Sequence, residues 1–183
     1  MEKVLIRFTL NGKKVTSAID PRWSLADLLR GSEHKHTGTK KSCEVGECGA
    51  CTVIINDETY NSCIYLAIWA DGKSIRTIEG LTGENGELSD IQQAFVDEGA
   101  IQCGFCTPGF IISAKVLLDQ NPNPTREEVR EWFQKNNNLC RCTGYKPLVD
   151  AVMDAAMLIR GEITKEDLWF KLKDGDSIFG TPY

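Results

Sequence analysis

The sequence predicts an α+β protein made of two unlike halves, a strand-rich N-terminal module and a helical C-terminal bundle. Three observations carry that reading. Val4, Ile6, Phe8 and Leu10 recur on one face at the two-residue period of a half-buried strand. From Ser89 onward the apolar spacing becomes helical, with starts marked by capping residues or proline. Between the two regimes, residues 81–88 are rich in Gly, Glu and Asn and read as a linker.

In chain order, the first strand ends at Asn11-Gly12, a two-residue hairpin signal, and Lys13 to Ile19 return antiparallel. Ser24 caps a short helix, Leu25 to Arg30, that Gly31 stops. Cys51 to Ile55 and Thr59 to Ile64 read as strands around an Asn56-Asp57 turn, and Ser74 to Ile78 as the last strand. Hairpin, helix and further strands make a β-grasp-like module over residues 1–80. A four-helix domain follows over 89–161. Ser89 caps its first helix, which runs to about Glu98, and Thr107-Pro108 opens the second, which runs to about Gln120. After the Asn121-Pro122-Asn123-Pro124 turn, Thr125 and Glu128 form a capping box for the third. Lys146-Pro147 opens the fourth, which runs to about Arg160. Residues 162–183 form a C-terminal extension.

A chain of 183 residues has room for one medium domain or two small ones. The net charge of −5 comes with no basic stripe, so a nucleic-acid partner is not expected. Apolar runs such as Phe110 to Ile112 are far too short to cross a bilayer, so no membrane is expected either. The N-terminus carries no apolar export signal, and a cytoplasmic location is the expectation. Thiols stay reduced there, which argues against a disulfide scaffold.

Eight cysteines fall into two sets of four. Cys43, Cys48, Cys51 and Cys63 read C-x4-C-x2-C-x11-C, the plant-type ferredoxin spacing for a [2Fe–2S] cluster. Gly46 and Gly49 give that loop the backbone freedom to wrap closely around a cluster and turn N–H groups toward its sulfurs. Structural zinc usually takes two short cysteine knuckles, whereas here three ligands share one loop. Cys103, Cys106, Cys140 and Cys142 read C-x2-C-x33-C-x-C. Each half of this second set precedes a helix start, so two helix N-termini would converge on one anionic site. Its spacing alone leaves zinc open.

The stretches Thr37 to Lys40, Cys43-x4-Cys48-Gly-Ala-Cys51-Thr-Val53, Gln102-Cys-Gly-Phe-Cys-Thr-Pro-Gly109 and Leu139-Cys-Arg-Cys-Thr-Gly-Tyr145 resemble the iron–sulfur subunit of the molybdenum hydroxylases, the xanthine oxidase family. The resemblance runs from about Val4 to Arg160 and includes all eight ligands in order. Ser42 departs from it, since the family usually has glycine before the first cysteine. It implies a plant-type ferredoxin-like domain followed by an α-helical [2Fe–2S]-binding bundle. It assigns Cys103, Cys106, Cys140 and Cys142 to a cluster next to a molybdopterin centre, and Cys43, Cys48, Cys51 and Cys63 to one nearer FAD. Gln102 and the Cys142 sulfur are implied contacts to the pterin. A molybdenum centre hydroxylates a carbon with oxygen from water, and two electrons leave singly through the two clusters to FAD. The chain is too short to hold molybdopterin or FAD domains as well. The resemblance therefore implies a large molybdenum-binding subunit and an FAD-binding subunit, in a dimer of heterotrimers. A purine, xanthine dehydrogenase-like substrate is expected first, then an aldehyde or another N-heterocycle. The alternative is a free-standing two-cluster electron carrier, for which the Gln102 motif has no use.

Other residues read more simply. His34 and His36 are redundant beside two complete cysteine sets and belong to an exposed polar loop. Lys40 and Lys41 read as solvated rim charges. Trp69 suggests an electron relay only superficially, while Trp132 lies with Val129 and Phe133 on a helical packing stripe, as do Met153 and Met157 on theirs. In the extension, Thr164 to Asp167 signal a short helix, and Leu168, Trp169 and Phe170 an apolar cluster expected to dock on a partner.

Overall fold

The computed structural model describes residues 2–168. Its first half is a five-stranded mixed sheet in the order β2-β1-β5-β3-β4, formed by β1 (Val4–Leu10), β2 (Lys13–Ile19), β3 (Thr52–Ile55), β4 (Glu58–Asn61) and β5 (Ser74–Arg76). Both hairpin turns have two residues at positive φ, Asn11 and Gly12 in one, Asn56 and Asp57 in the other. That backbone matches the twist of the flanking strands, which is why Asn, Asp and Gly occupy these positions. Strand β5 runs parallel to β1 and antiparallel to β3. Ile6, Phe8, Leu10, Ile19, Val53, Ile55 and Ile75 meet Leu25, Leu28 and Leu29 of α1 (Leu25–Arg30) in one core. Each such side chain contributes about 1.5–3 kcal/mol by leaving water. The Ser24 capping box that opens α1 includes Asp27.

The second half packs α2 (Asp90–Asp97), α3 (Thr107–Gln120), α4 (Arg126–Lys135) and α5 (Lys146–Ile159) around Phe95, Phe110, Phe133, Leu148 and Val152. Trp132 is half-buried, and its indole N–H donates to the Ser113 carbonyl at 2.9 Å. A third apolar cluster, Ile54 on β3 with Ile112 and Val116 on α3, joins the halves. Ile78 and Leu81 pack against it, from a short 3-10 turn (Ile78–Leu81) in which the expected linker begins. The halves are therefore packed together along α3 rather than strung on a flexible tether.

Four details differ from the sequence expectation. β4 ends at Asn61, so Cys63 sits in the following turn rather than on a strand. A second 3-10 turn, Ala67–Ala70, packs beneath the sheet, with Ala67 and Ala70 buried. His34 and His36 are half-buried: His34 pairs with the Ser17 hydroxyl at 2.9 Å, and His36 lies 3.6 Å from Glu79. The Thr164 to Asp167 helix signal is realised at 165–168, but Leu168 is buried in the chain's own helical core instead of awaiting a partner. Trp169 and Phe170 lie outside the described residues.

Candidate metal centres

The first cysteine set is built by a loop that the sheet frames. Cys43, Cys48 and Cys51 lie between α1 and β3, and Cys63 follows β4. Gly46 and Gly49 both have positive φ, and a Cβ at Gly46 would sit 2.8 Å from the Ile64 side chain. The loop therefore needs glycine for conformation and for closeness. The Glu47 N–H donates to Cys43 Sγ at 3.3 Å. Lys41, rather than being freely solvated, bridges Asp27 and Glu44, at 2.8 Å each, and tethers the loop's start to α1.

The second set is built by helix starts. Cys106 is the N-cap of α3, whose Pro108 fits the first turn, and Cys140 and Cys142 lie just before α5. Cys103 and Cys142 are exposed, with their sulfurs 3.5 Å apart, while Cys106 and Cys140 sit deeper. A cleft of about 460 Å3 opens onto Cys103, Cys106, Cys140, Arg141 and Cys142, and also onto Cys48 of the first set. Gln102, next to Cys103 in the chain, is exposed but is not among the residues that line the cleft.

All eight thiols are free of disulfides. Among the described residues, no three His, Cys, Asp or Glu side chains converge on a single metal ion. Cys103 Sγ and Cys142 Sγ stand 3.5 Å apart, and Cys43, Cys51 and Cys106 each have a neighbouring thiol (Cys48, Cys63 and Cys140) close enough to influence their ionisation. Paired thiols suit a two-iron cluster, in which four cysteines serve two irons. The local electrostatics are uneven. Burial pushes the Cys51 and Cys106 thiols up to about 12, helped in each case by the neighbouring Cys63 or Cys140 sulfur. Burial also opposes ionisation of Cys43, but the N–H groups of Val45, Glu47 and Cys48, with the Cys48 thiol, hold it down to about 7. Cys140 is likewise held below the ordinary thiol value, because the Thr143 hydroxyl and N–H outweigh burial. Such donors favour the anionic sulfur that a metal requires.

The segment that joins the two sets had no role in the sequence reading. Asn136, Asn137 and Asn138 follow α4 and run straight into Leu139 and Cys140. Asn136 shares a hydrogen bond with the Thr59 hydroxyl, and Asn137 Nδ2 donates to the Gly46 carbonyl at 3.3 Å. Asn138 is buried against Gly49, where any Cβ would come within 2.5 Å of its side chain. The Leu139 N–H then donates to the Cys48 carbonyl at 3.1 Å. A Cβ on Gly109, in the first turn of α3, would lie 2.2 Å from the Gly49 carbonyl oxygen. The two cysteine loops are thus joined by a direct backbone hydrogen bond, with the Asn137 and Asn138 side chains packed beside it.

Comparison with known proteins agrees with this geometry. Residues 8–75 match the 2Fe-2S iron-sulfur cluster binding domain, and residues 77–153 match the [2Fe-2S] binding domain. The nicotine 6-hydroxylase small subunit of Paenarthrobacter nicotinovorans is 50% identical over 84% of this chain and 90% of its own. The xanthine dehydrogenase iron-sulfur-binding subunit of Escherichia coli O157:H7 is 44% identical over 84% of this chain and 94% of its own. The solved structure of aldehyde oxidoreductase from Desulfovibrio gigas superposes with a TM-score of 0.85 at 49% identity, covering 90% of this chain. The chain spans only 18% of that longer protein. Among the described residues, no helix is long and apolar enough to cross a membrane. With two cluster-binding domains in this order and near full-length matches to small subunits, the chain belongs to the iron–sulfur subunits of the molybdenum hydroxylase family.

Proposed function

We propose that this chain is the electron-transfer subunit of a molybdenum hydroxylase, with Cys43, Cys48, Cys51 and Cys63 holding one [2Fe–2S] cluster and Cys103, Cys106, Cys140 and Cys142 the other. The observation that carries the reading is the direct Leu139 N–H to Cys48 carbonyl bond, which links a ligand of one set to the neighbour of a ligand of the other. When bound, each cluster supplies reversible storage of one electron. The chain's own residues fix the separation, the exposure and the entry point. Exposed Cys103 and Cys142, with Gln102 beside them, form the edge offered to the molybdopterin-bearing subunit. The Gln102 amide can both donate to and accept from a pterin. Cys106 and Cys140 lie behind that edge, and the Leu139 to Cys48 bond leads on to the first set. The other exit, past Cys43, faces the FAD-bearing subunit. Neither partner chemistry resides in these residues, so the chain is not catalytic alone.

The assembly is a dimer of heterotrimers in a cytoplasmic compartment. The substrate is read as a purine of the xanthine type, with aldehydes and other N-heterocycles next, in keeping with the spread of names among close relatives. The test is anaerobic purification of the chain with its native partners, followed by metal, flavin and EPR analysis. About four irons per chain in two distinct [2Fe–2S] signals, together with molybdenum and FAD, are the expected result. Iron with no partner chain would sink the subunit reading in favour of a free carrier.

A further inference from the structure

A closed ring of hydrogen bonds surrounds one cysteine of the second set. The Thr143 hydroxyl donates to Cys140 Sγ at 3.1 Å, and the Thr143 N–H reaches the same sulfur at 3.4 Å. The Tyr145 N–H donates to Thr143 Oγ1 at 3.3 Å. The Cys140 N–H in turn donates to the Tyr145 hydroxyl oxygen at 3.0 Å. Because Thr143 Oγ1 already accepts from the Tyr145 N–H, its own proton has to point elsewhere, and the Cys140 sulfur is the acceptor it meets. Among the described residues, Cys140 is the one member of this set that receives a side-chain hydroxyl.

The ring is held at some conformational expense. Tyr145 has a φ of +69°, in the left-handed region that non-glycine residues seldom adopt. It is fixed there by its place as N-cap of α5, where its carbonyl accepts from the Val149 N–H at 3.1 Å. Its ring also meets Phe110 edge-to-face, with centroids 6.2 Å apart. A strained residue braced from two sides, with its hydroxyl returned to a ligand's backbone, marks a position under functional constraint.

We propose that Thr143, positioned by Tyr145, sets the reduction potential of the second cluster by donating its hydroxyl to the Cys140 thiolate. This rests on the reading that Cys103, Cys106, Cys140 and Cys142 hold a [2Fe–2S] cluster. One-electron reduction adds negative charge that is shared with the thiolates. A donor on a thiolate offsets the added charge, stabilises the reduced state and raises the potential. No bond to the protein breaks, and the proton stays on Thr143 Oγ1. The electron comes from the molybdenum-bearing partner in the complex, and from dithionite in the test.

The experiment is a dithionite titration of the full chain, with both clusters loaded, followed by EPR in wild type, Thr143→Val, Thr143→Ser and Tyr145→Phe. At the wild-type midpoint, Thr143→Val is expected to lower the reduced-to-oxidised ratio of the second cluster about tenfold, equivalent to about 59 mV. The first cluster keeps its midpoint, Thr143→Ser restores the second, and Tyr145→Phe moves it in the same direction by less. An unmoved second midpoint in Thr143→Val, or both midpoints moving together, overturns the proposal. If Thr143→Val loses the second cluster, Thr143→Ala replaces it in the same titration. Loss in Ala as well, with Ser retaining the cluster, makes the hydroxyl a scaffold and overturns tuning. A wild-type chain without two [2Fe–2S] signals defeats the ligand assignment itself, a failure visible before any variant is made.

Discussion

The two cysteine sets solve one problem by opposite means. The first is a local structure: three of its sulfurs come from a nine-residue loop, shaped by left-handed glycines and framed by a sheet. The second is a tertiary structure, since its halves are 33 residues apart in sequence and meet only because α3 and α5 pack around Phe110. A site written into a loop depends on backbone conformation. A site written across helices depends on the core beneath it. The two should therefore fail separately.

The largest separation is expected from Phe110→Ala. Phe110 is fully buried, packing edge-to-face on Phe133 and Tyr145, and its truncation should cost about 3–5 kcal/mol. The EPR signal of the second cluster should disappear while that of the first persists. Equal loss of both would mean that the halves act as a single cooperative unit. Gly109→Ala addresses the seam instead. The new Cβ would collide with the Gly49 backbone, which cannot rotate away as a side chain can, at a cost of about 1–3 kcal/mol. Both clusters should load, but their magnetic coupling should weaken as the sets move apart; unchanged coupling would contradict the close approach.

Asn137 tests the smaller contribution of the joining segment. It has positive φ and its side chain bonds the Gly46 carbonyl. Asn137→Ala should lower stability by about 1–2 kcal/mol, and Asn137→Gly by less, because glycine keeps the conformation and loses only the bond. A thermal melt in which the two variants match would remove the conformational part of that account.

The smallest effect is expected from Glu79→Gln. Burial raises the Glu79 carboxyl, but the Thr77 hydroxyl, its own backbone N–H, the Gly38 N–H and His36 more than compensate and hold it below its ordinary value of 4.5. A carboxylate depressed in the fold contributes its stability above that value and loses it as pH falls. Wild type should therefore weaken more steeply than Glu79→Gln below about pH 4.5, by less than about 1 kcal/mol after solvent screening. Parallel acid melts would show that this tie between the first loop and the 3-10 turn carries no weight.

How much of this was legible in the sequence follows the same division. Period-two alternation, the Asn11-Gly12 and Asn56-Asp57 turns, the Thr125 capping box and the two prolines at helix starts are local signals, and each element they mark is present. The first cysteine set was readable from its ligand spacing, a local property too, whereas the second, whose spacing left zinc open, was read through the family resemblance. What escaped were groups whose meaning lies across the fold. Asn136 to Asn138 drew no reading at all, since nothing nearby reveals that Thr59, Gly46 and Gly49 wait on the other half. Thr143 and Tyr145 were visible as part of a motif, but their hydroxyls acquire a purpose only when the Cys140 loop closes on them. Leu168 read as an apolar residue in need of cover, and the cover is its own domain.

The Leu139 to Cys48 bond has a consequence for how such subunits drift in sequence. Both atoms of the junction belong to the main chain, and the Leu139 side chain itself is exposed. Any amino acid at position 139 supplies the same N–H, with the single exception of proline. The bond itself therefore places no demand on the Leu139 side chain and asks only that the residue there keep its N–H. What the junction writes into the sequence at this point is an excluded letter, proline, rather than a required one.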